Sequence, residues 1–227
     1  MSLAHPLDRP VWSALTGRWA GLTLAQGCAR RLAPDFGLFA AAPDTSPESL
    51  ADLGALVATH GEVGLMEPEP WPAPPGTSAT SLLCWQMAAT SPPPALQPGF
   101  EILPLGDADA PQMLELATLT RPGPFFQRTH QLGRFVGVKV GGRLVAMAGE
   151  RIRAEGCGEI SGVCTHPDHR GRGYAAALMT RVTERVFARC ETPVLHSLAD
   201  NAGAIALYER LGFAFRRELT FTVLAPG

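Results

Sequence analysis

Between Glu159 and Arg189 the chain has to change character abruptly. A strand-like run, Glu159 to Thr165, meets His166-Pro167-Asp168-His169-Arg170-Gly171-Arg172-Gly173, and a long helix pattern then runs from Gly173 to about Arg189. Pro167 cannot donate to a strand ladder, and the two glycines permit backbone angles closed to other residues. In the helix, Ala175, Leu178, Met179, Val182 and Val186 recur at intervals of three and four residues, giving an apolar stripe that must lie on something. A strand that turns directly into an amphipathic helix belongs to a layered α/β architecture.

The junction also has a chemical meaning. The first-turn amides of a helix have no partner within the helix, and they sit at the positive end of its dipole. Small residues let a ligand approach them, and Arg170 and Arg172 add positive charge. Such a turn suits a phosphate or pyrophosphate. The segment is neither a Gly-x-x-x-x-Gly-Lys-Ser/Thr loop nor the Gly-x-Gly-x-x-Gly dinucleotide fingerprint with its later acidic residue. Taken alone, the plain alternative is an arginine-decorated turn.

Proline divides the rest. Among 21 prolines, one cluster spans 67–76 and a second spans 91–99. Neither fits a helix interior or a central strand, and the second reads as a stiff linker. The expected organisation is therefore an N-terminal α/β domain over residues 1–96 and a second domain over 97–227. Before the linker, helices are expected at Pro10 to Thr16 and from Ser46-Pro47 to about Thr59, with strands at 36–42, 63–66 and 81–88. After it come a strand at 100–105, a helix at 107–119, a loop through Thr120 to Phe126, and the hairpin 135–140/143–150 with Gly141-Gly142 at its turn. Strands at 194–198, 213–215 and 219–224 and a helix at 201–211 complete a mixed α/β sheet.

Composition narrows the function classes. With 46% apolar and 18% charged residues, the 227-residue chain can bury a core. Its net charge of −2 argues against nucleic-acid or anionic-membrane partners. No apolar run reaches the ~18 residues of a bilayer span, and Met1-Ser2-Leu3-Ala4 lacks a basic, apolar leader, so a cytoplasmic protein is expected. The five cysteines show no metal-ligand spacing, and no metal site is expected.

Two motifs then coincide. Arg170-Gly171-Arg172-Gly173-Tyr174-Ala175 resembles the Arg/Gln-x-x-Gly-x-Gly/Ala signature of the GNAT acetyltransferase superfamily. About thirty residues on, Asn201-Ala202-Gly203-Ala204-Ile205-Ala206-Leu207-Tyr208-Glu209-Arg210-Leu211-Gly212-Phe213 resembles its Asn-x-x-Ala-x-x-x-Tyr-x-x-x-Gly-Phe signature. The likeness covers roughly residues 98–224, most resembling the glycine-acyltransferase-related, small-substrate branch. It implies a C-terminal GNAT fold, with the N-terminal part a small α/β domain or a degenerate half of the same architecture. That part would close the acceptor cleft or form a homodimer.

The resemblance also implies roles. Acetyl-coenzyme A (acetyl-CoA) would be the donor, its pyrophosphate held by the amides of Arg170, Gly171, Arg172, Gly173, Tyr174 and Ala175. Its pantetheine arm would pair with the backbone of Val163, Cys164 and Thr165 and meet Asn201. Tyr208 is the expected general acid for the departing thiolate, and Glu159 the expected general base, with Glu150 its rival. Residues 159, 161, 163 and 165 are expected on one strand face. His166 and His169 are read as shaping the loop, while His196 faces the cleft or is a satisfied core histidine. Phe125 and Phe126 wall an acceptor pocket or belong to the core, and Arg121 or Arg128 would pair with an acceptor carboxylate. The expected activity is direct acetyl transfer to the amine of a small molecule or amino acid. The alternative is a non-catalytic acyl-CoA-binding sensor.

Overall fold

The fold, seen in a computed structural model, is described for residues 5–94 and 96–227. The leader reading on Met1–Ala4 and the linker residue Ala95 lie outside the described residues. Helix α1, Pro10–Thr16, leads into a small sheet of β1, Thr23–Gln26, β2, Ala29–Leu32, and β3, Ala40–Ala41. Helix α2, Pro47–His60, starts where Ser46 Oγ accepts from the Ser49 amide, with Pro47 at the first helical position, and stops at Gly61. Strands β4, Val63–Glu67, and β5, Thr77–Ala89, follow.

After the proline-rich crossover come β6, Leu103–Leu105, α3, Ala110–Thr120, β7, Phe135–Val140, and β8, Arg143–Glu150. Gly141 and Gly142 both have positive φ, 56° and 80°, which turns β7 tightly into β8. Next are β9, Cys157–Thr165, α4, Tyr174–Phe187, β10, Thr192–Leu198, α5, Ala202–Arg210, and β11, Phe213–Pro226. The last is one strand with an irregularity between Phe215 and Arg217, where two strands were expected.

One mixed eight-stranded sheet, β4-β11-β5-β10-β9-β8-β7-β6, forms the body. The boundary expected near residue 97 therefore falls inside a single sheet. Strand β5 lies between β10 and β11 and pairs antiparallel with both. A long strand with both edges free finds its hydrogen-bond partners in the C-terminal half, so the proline segment links parts of one sheet. Helix α4 packs Leu178, Met179, Val182 and Val186 against Val138, Val145 and Ile160. Helix α3 buries Met113, Leu116 and Ala117 with Met147 and Cys164 in a separate cluster.

Candidate active site

The parallel pairing of β9 with β10 is brief. It runs from Thr192–Cys157 to Val194–Glu159 and then stops. Beyond that point β10 continues along β5 and β9 along β8, so the strands part. The gap between them opens a cleft of about 1060 Å³. Val163, Cys164 and Thr165 line it from one side, His196, Ser197 and Leu198 from the other. The residues from Arg170 to Ala175 line it too, as do Asn201 and Tyr208.

At its end the turn is open. Gly171 and Gly173 hold φ at 75° and 77°, and a Cβ at either would meet nothing within 4 Å. Gly173 occupies the N-cap of α4 and has no side chain to cap it. The first intrachain bond of the helix start is Ala177 N–H to Gly173 O, so among the described residues no backbone acceptor meets the amides of 171–176. The Arg170 amide, expected to belong to this set, instead donates to Pro167 O at 3.3 Å and closes the preceding turn. Arg170 and Arg172 are exposed and make no ion pair among the described residues. The donor set and the empty space fit a diphosphate. The preceding turn is fixed by His166, whose Nδ1 accepts from the Asp168 amide at 3.2 Å. His169 packs edge-on against the His166 ring, centroids 5.7 Å apart, and lines the cleft.

Strand β9 does not alternate along its whole length. Ser161 pairs with Gly149 and Cys164 with Met147, so two residues, Gly162 and Val163, oppose Ala148 alone. Gly162 has φ of 62°, the signature of a bulge. Ile160 and Val163 consequently both pack toward α4, while Cys164 packs toward α3. The shared face expected for 159, 161, 163 and 165 ends at Ser161, because the bulge inserts one residue.

Glu159 is 1% exposed and lies behind the cleft wall. Its Oε2 accepts from Arg151 Nε at 3.1 Å and from the Ile152 amide at 3.0 Å. Its Oε1 accepts from Arg151 Nη2 at 3.1 Å and from His196 Nδ1 at 2.8 Å. Burial pushes the carboxyl up, but the Arg151 guanidinium and His196 outweigh it and bring it down to about 2. A carboxylate so weakly basic, with every oxygen engaged, does not suit the proton-accepting role expected of it. It clamps Arg151 and His196, which do face the cleft. The rival Glu150 is also buried and is held by Arg189.

His196 satisfies both earlier readings. It lines the cleft, yet its side chain is 4% exposed and both nitrogens are engaged. Gln86 Nε2 lies 3.0 Å from His196 Nε2 and donates to it, which leaves the ring neutral with its proton on Nδ1. Gln86 in turn donates to the Leu7 carbonyl at 2.9 Å and accepts from Arg216 at 2.6 Å. No feature of Gln86 in the sequence distinguished it. Arg151, eight residues before Glu159 across a glycine turn, also went unnoticed.

Tyr208 is partly buried against the main core, and burial raises its phenol above the usual value near 10. It keeps its proton at neutral pH and remains a donor. Asn201 lines the cleft and caps α5 through Oδ1, accepting from the Ala204 amide at 3.2 Å, which leaves its Nδ2 without a protein partner among the described residues. Arg128 is taken by Asp35 at 3.1 Å and lies over Phe36. Phe125 packs edge-on to Phe135 and takes no part in the cleft. Among the described residues no group of His, Cys, Asp and Glu suited to a metal is found, and no helix is long and apolar enough to cross a membrane.

The model of the Acetyltransferase (GNAT) family matches residues 103–213. A crystal structure assigned to the GNAT family, from Novosphingobium aromaticivorans DSM 12444, is 47% identical over 98% of this chain and 99% of that one, with a TM-score of 0.91. The chain belongs to the GNAT acetyltransferase family. A GCN5-related N-acetyltransferase from Kribbella flavida shares the fold across 96% of both chains, at 17% identity and a TM-score of 0.66. An "Acetyltransferase" of Yersinia pestis (strain Pestoides F) is 41% identical over 49 residues, 21% of this chain. The matched stretch spans 35% of the length of that curated relative.

Proposed function

We propose that the chain is an acetyl-CoA-dependent N-acetyltransferase acting on a small amine or amino acid, in keeping with its motif likeness to the glycine-acyltransferase-related branch. The reading is carried by the uncapped turn 171–176 opening into the gap between β9 and β10, with Tyr208 on the facing wall. Bound there, the donor supplies an acyl carbon already activated as a thioester.

The chain's own groups do the rest. The 171–176 amides, Arg170 and Arg172 hold the diphosphate. The unpaired edge of Val163–Thr165 aligns the pantetheine as an added strand. The acceptor nitrogen forms its bond to the acyl carbon as the C–S bond breaks, and its proton passes to water. Tyr208 donates a hydrogen bond or proton to the sulfur. Because a thiol is more acidic than a phenol raised by burial, charge stabilisation by hydrogen bonding is the larger part of that role.

Titration calorimetry with coenzyme A, followed by thiol-release assays over an amine panel, tests this. Micromolar binding and acceptor-dependent release are expected. Failure of coenzyme A to bind removes the proposal. Binding without release for any amine returns the non-catalytic sensor.

A further inference from the structure

The charges facing the cleft have one sign. Arg121, Arg151, Arg170, Arg172 and Arg210 line it, and among the described residues no aspartate or glutamate does. Arg170, Arg172 and Arg210 belong to the donor-side turn and α5. Arg151 is neutralised by Glu159. Arg121 remains. It is the left-handed cap of α3, with φ of 49°, and begins the loop whose Pro124 carbonyl accepts from Arg151 Nη1 at 3.2 Å. It is exposed, and among the described residues it has no ion pair or side-chain hydrogen bond.

Opposite the donor strands the wall is apolar. Phe39, Met66, Leu82 and Phe221 line it. Phe39 and Phe221 meet edge-on with centroids 6.3 Å apart. Three of these four precede the proline crossover, so the N-terminal half builds this part of the cleft.

Resting on the acetyl-transfer reading, we infer that the acceptor is an amino carboxylic acid with an apolar body, its carboxylate paired with Arg121 and its body on the Phe39–Phe221 wall. A polyamine or a lysine-rich tail would meet like charge throughout and no acid to pair with. A carboxylate gains a charge-assisted partner. The surrounding guanidiniums also favour the neutral form of the acceptor amine, so the nucleophile forms without a protein carboxylate as base.

The test uses the full chain and acetyl-CoA, with thiol release measured for phenylalanine, phenylalaninamide, phenethylamine and spermidine. Phenylalanine is expected to exceed the amide and phenethylamine in kcat/KM by about tenfold or more, and spermidine to be poorest. Arg121→Gln should erase the preference for the carboxylate while the calorimetric affinity for coenzyme A stays unchanged, and Arg121→Lys should restore part of it. Equal or better use of spermidine or the amide, or a preference that survives Arg121→Gln, overturns the inference alone. Loss of coenzyme A binding by the wild-type chain instead overturns the acetyl-transfer reading beneath it.

Discussion

Arg151 and Glu159 face each other across the turn from β8 to β9, with Nε–Oε2 and Nη2–Oε1 both at 3.1 Å and the carboxylate sealed from solvent. The guanidinium also lies 4.8 Å above the Phe39 ring, so one buried charge pair joins the donor strand to the N-terminal wall of the cleft. Removing the carboxylate charge would leave Arg151 buried without a counter-ion. Glu159→Gln should therefore destabilise the fold at neutral pH by about 3–5 kcal/mol, measured by denaturant unfolding. The folded carboxyl sits near 2 against an ordinary 4.5, so its contribution is complete above about pH 4.5 and is lost as pH falls toward 2. The gap between wild type and variant should narrow over that interval. A gap that stays constant down to pH 3 would contradict the assigned pairing.

Tyr208 lines the same cleft from α5, and among the described residues no protein acceptor meets its hydroxyl. Tyr208→Phe keeps the ring packed and removes only the donor. The turnover number should fall by about a hundredfold, with acetyl-CoA affinity held within a factor of two or so. Because burial raises the phenol, the alkaline limb of the kcat profile should not report an ionisation below pH 10 from this residue. Unaltered turnover in the phenylalanine variant would remove Tyr208 from the chemistry.

Local signals made half of this site readable. The glycine turn before α4 and the glycine pair at 141–142 are set by residues within a few positions of one another. The hairpin turn stands where the sequence placed it, and the open amides run over 171–176 where 170–175 were expected, because Arg170 N–H closes back on Pro167 O. Two things depended on distant partners. Nothing within Thr77–Ala89 specifies that its neighbours are β10 and β11, more than a hundred residues on, so an apparent linker looked like a domain boundary. The bulge at Gly162 needs the register of β8, and without it the alternation rule placed Val163 on the face of Glu159. The acceptor wall of Phe39, Met66 and Leu82 was hidden for the same reason as β5.

The open turn offers a cleaner separation of backbone from side-chain effects. At Gly173 the φ of 77° disfavours any Cβ, although nothing lies within 4 Å to clash with it. Gly173→Ala should thus strain the turn by roughly 1–2 kcal/mol and redirect its amides. Coenzyme A affinity is expected to drop at least about tenfold, with little change in far-UV circular dichroism. Arg172→Gln should weaken binding more modestly, and less so at high salt. If Gly173→Ala binds coenzyme A like wild type, those amides do not hold the diphosphate.

Gln86 ties the N-terminal segment to the cleft. It is fully buried, and its amide group is committed on both sides, to Arg216 through Oε1 and to Leu7 and His196 through Nε2. That orientation is what makes His196 a neutral Nδ1–H donor to Glu159. Gln86→Glu replaces a donor with an acceptor at His196 Nε2, so the ring must take up a second proton to keep both contacts. In the variant both ring nitrogens of His196 should then carry a proton, read as two ring N–H signals by 15N NMR. Gln86→Leu, which leaves the Leu7 carbonyl unpaired and Arg216 with Asp8 alone, should cost about 1–3 kcal/mol of stability without adding a ring proton to His196. A single ring N–H on His196 in Gln86→Glu would mean the tautomer is set by Glu159 alone, and that β5 contributes packing without directing the protons of the cleft.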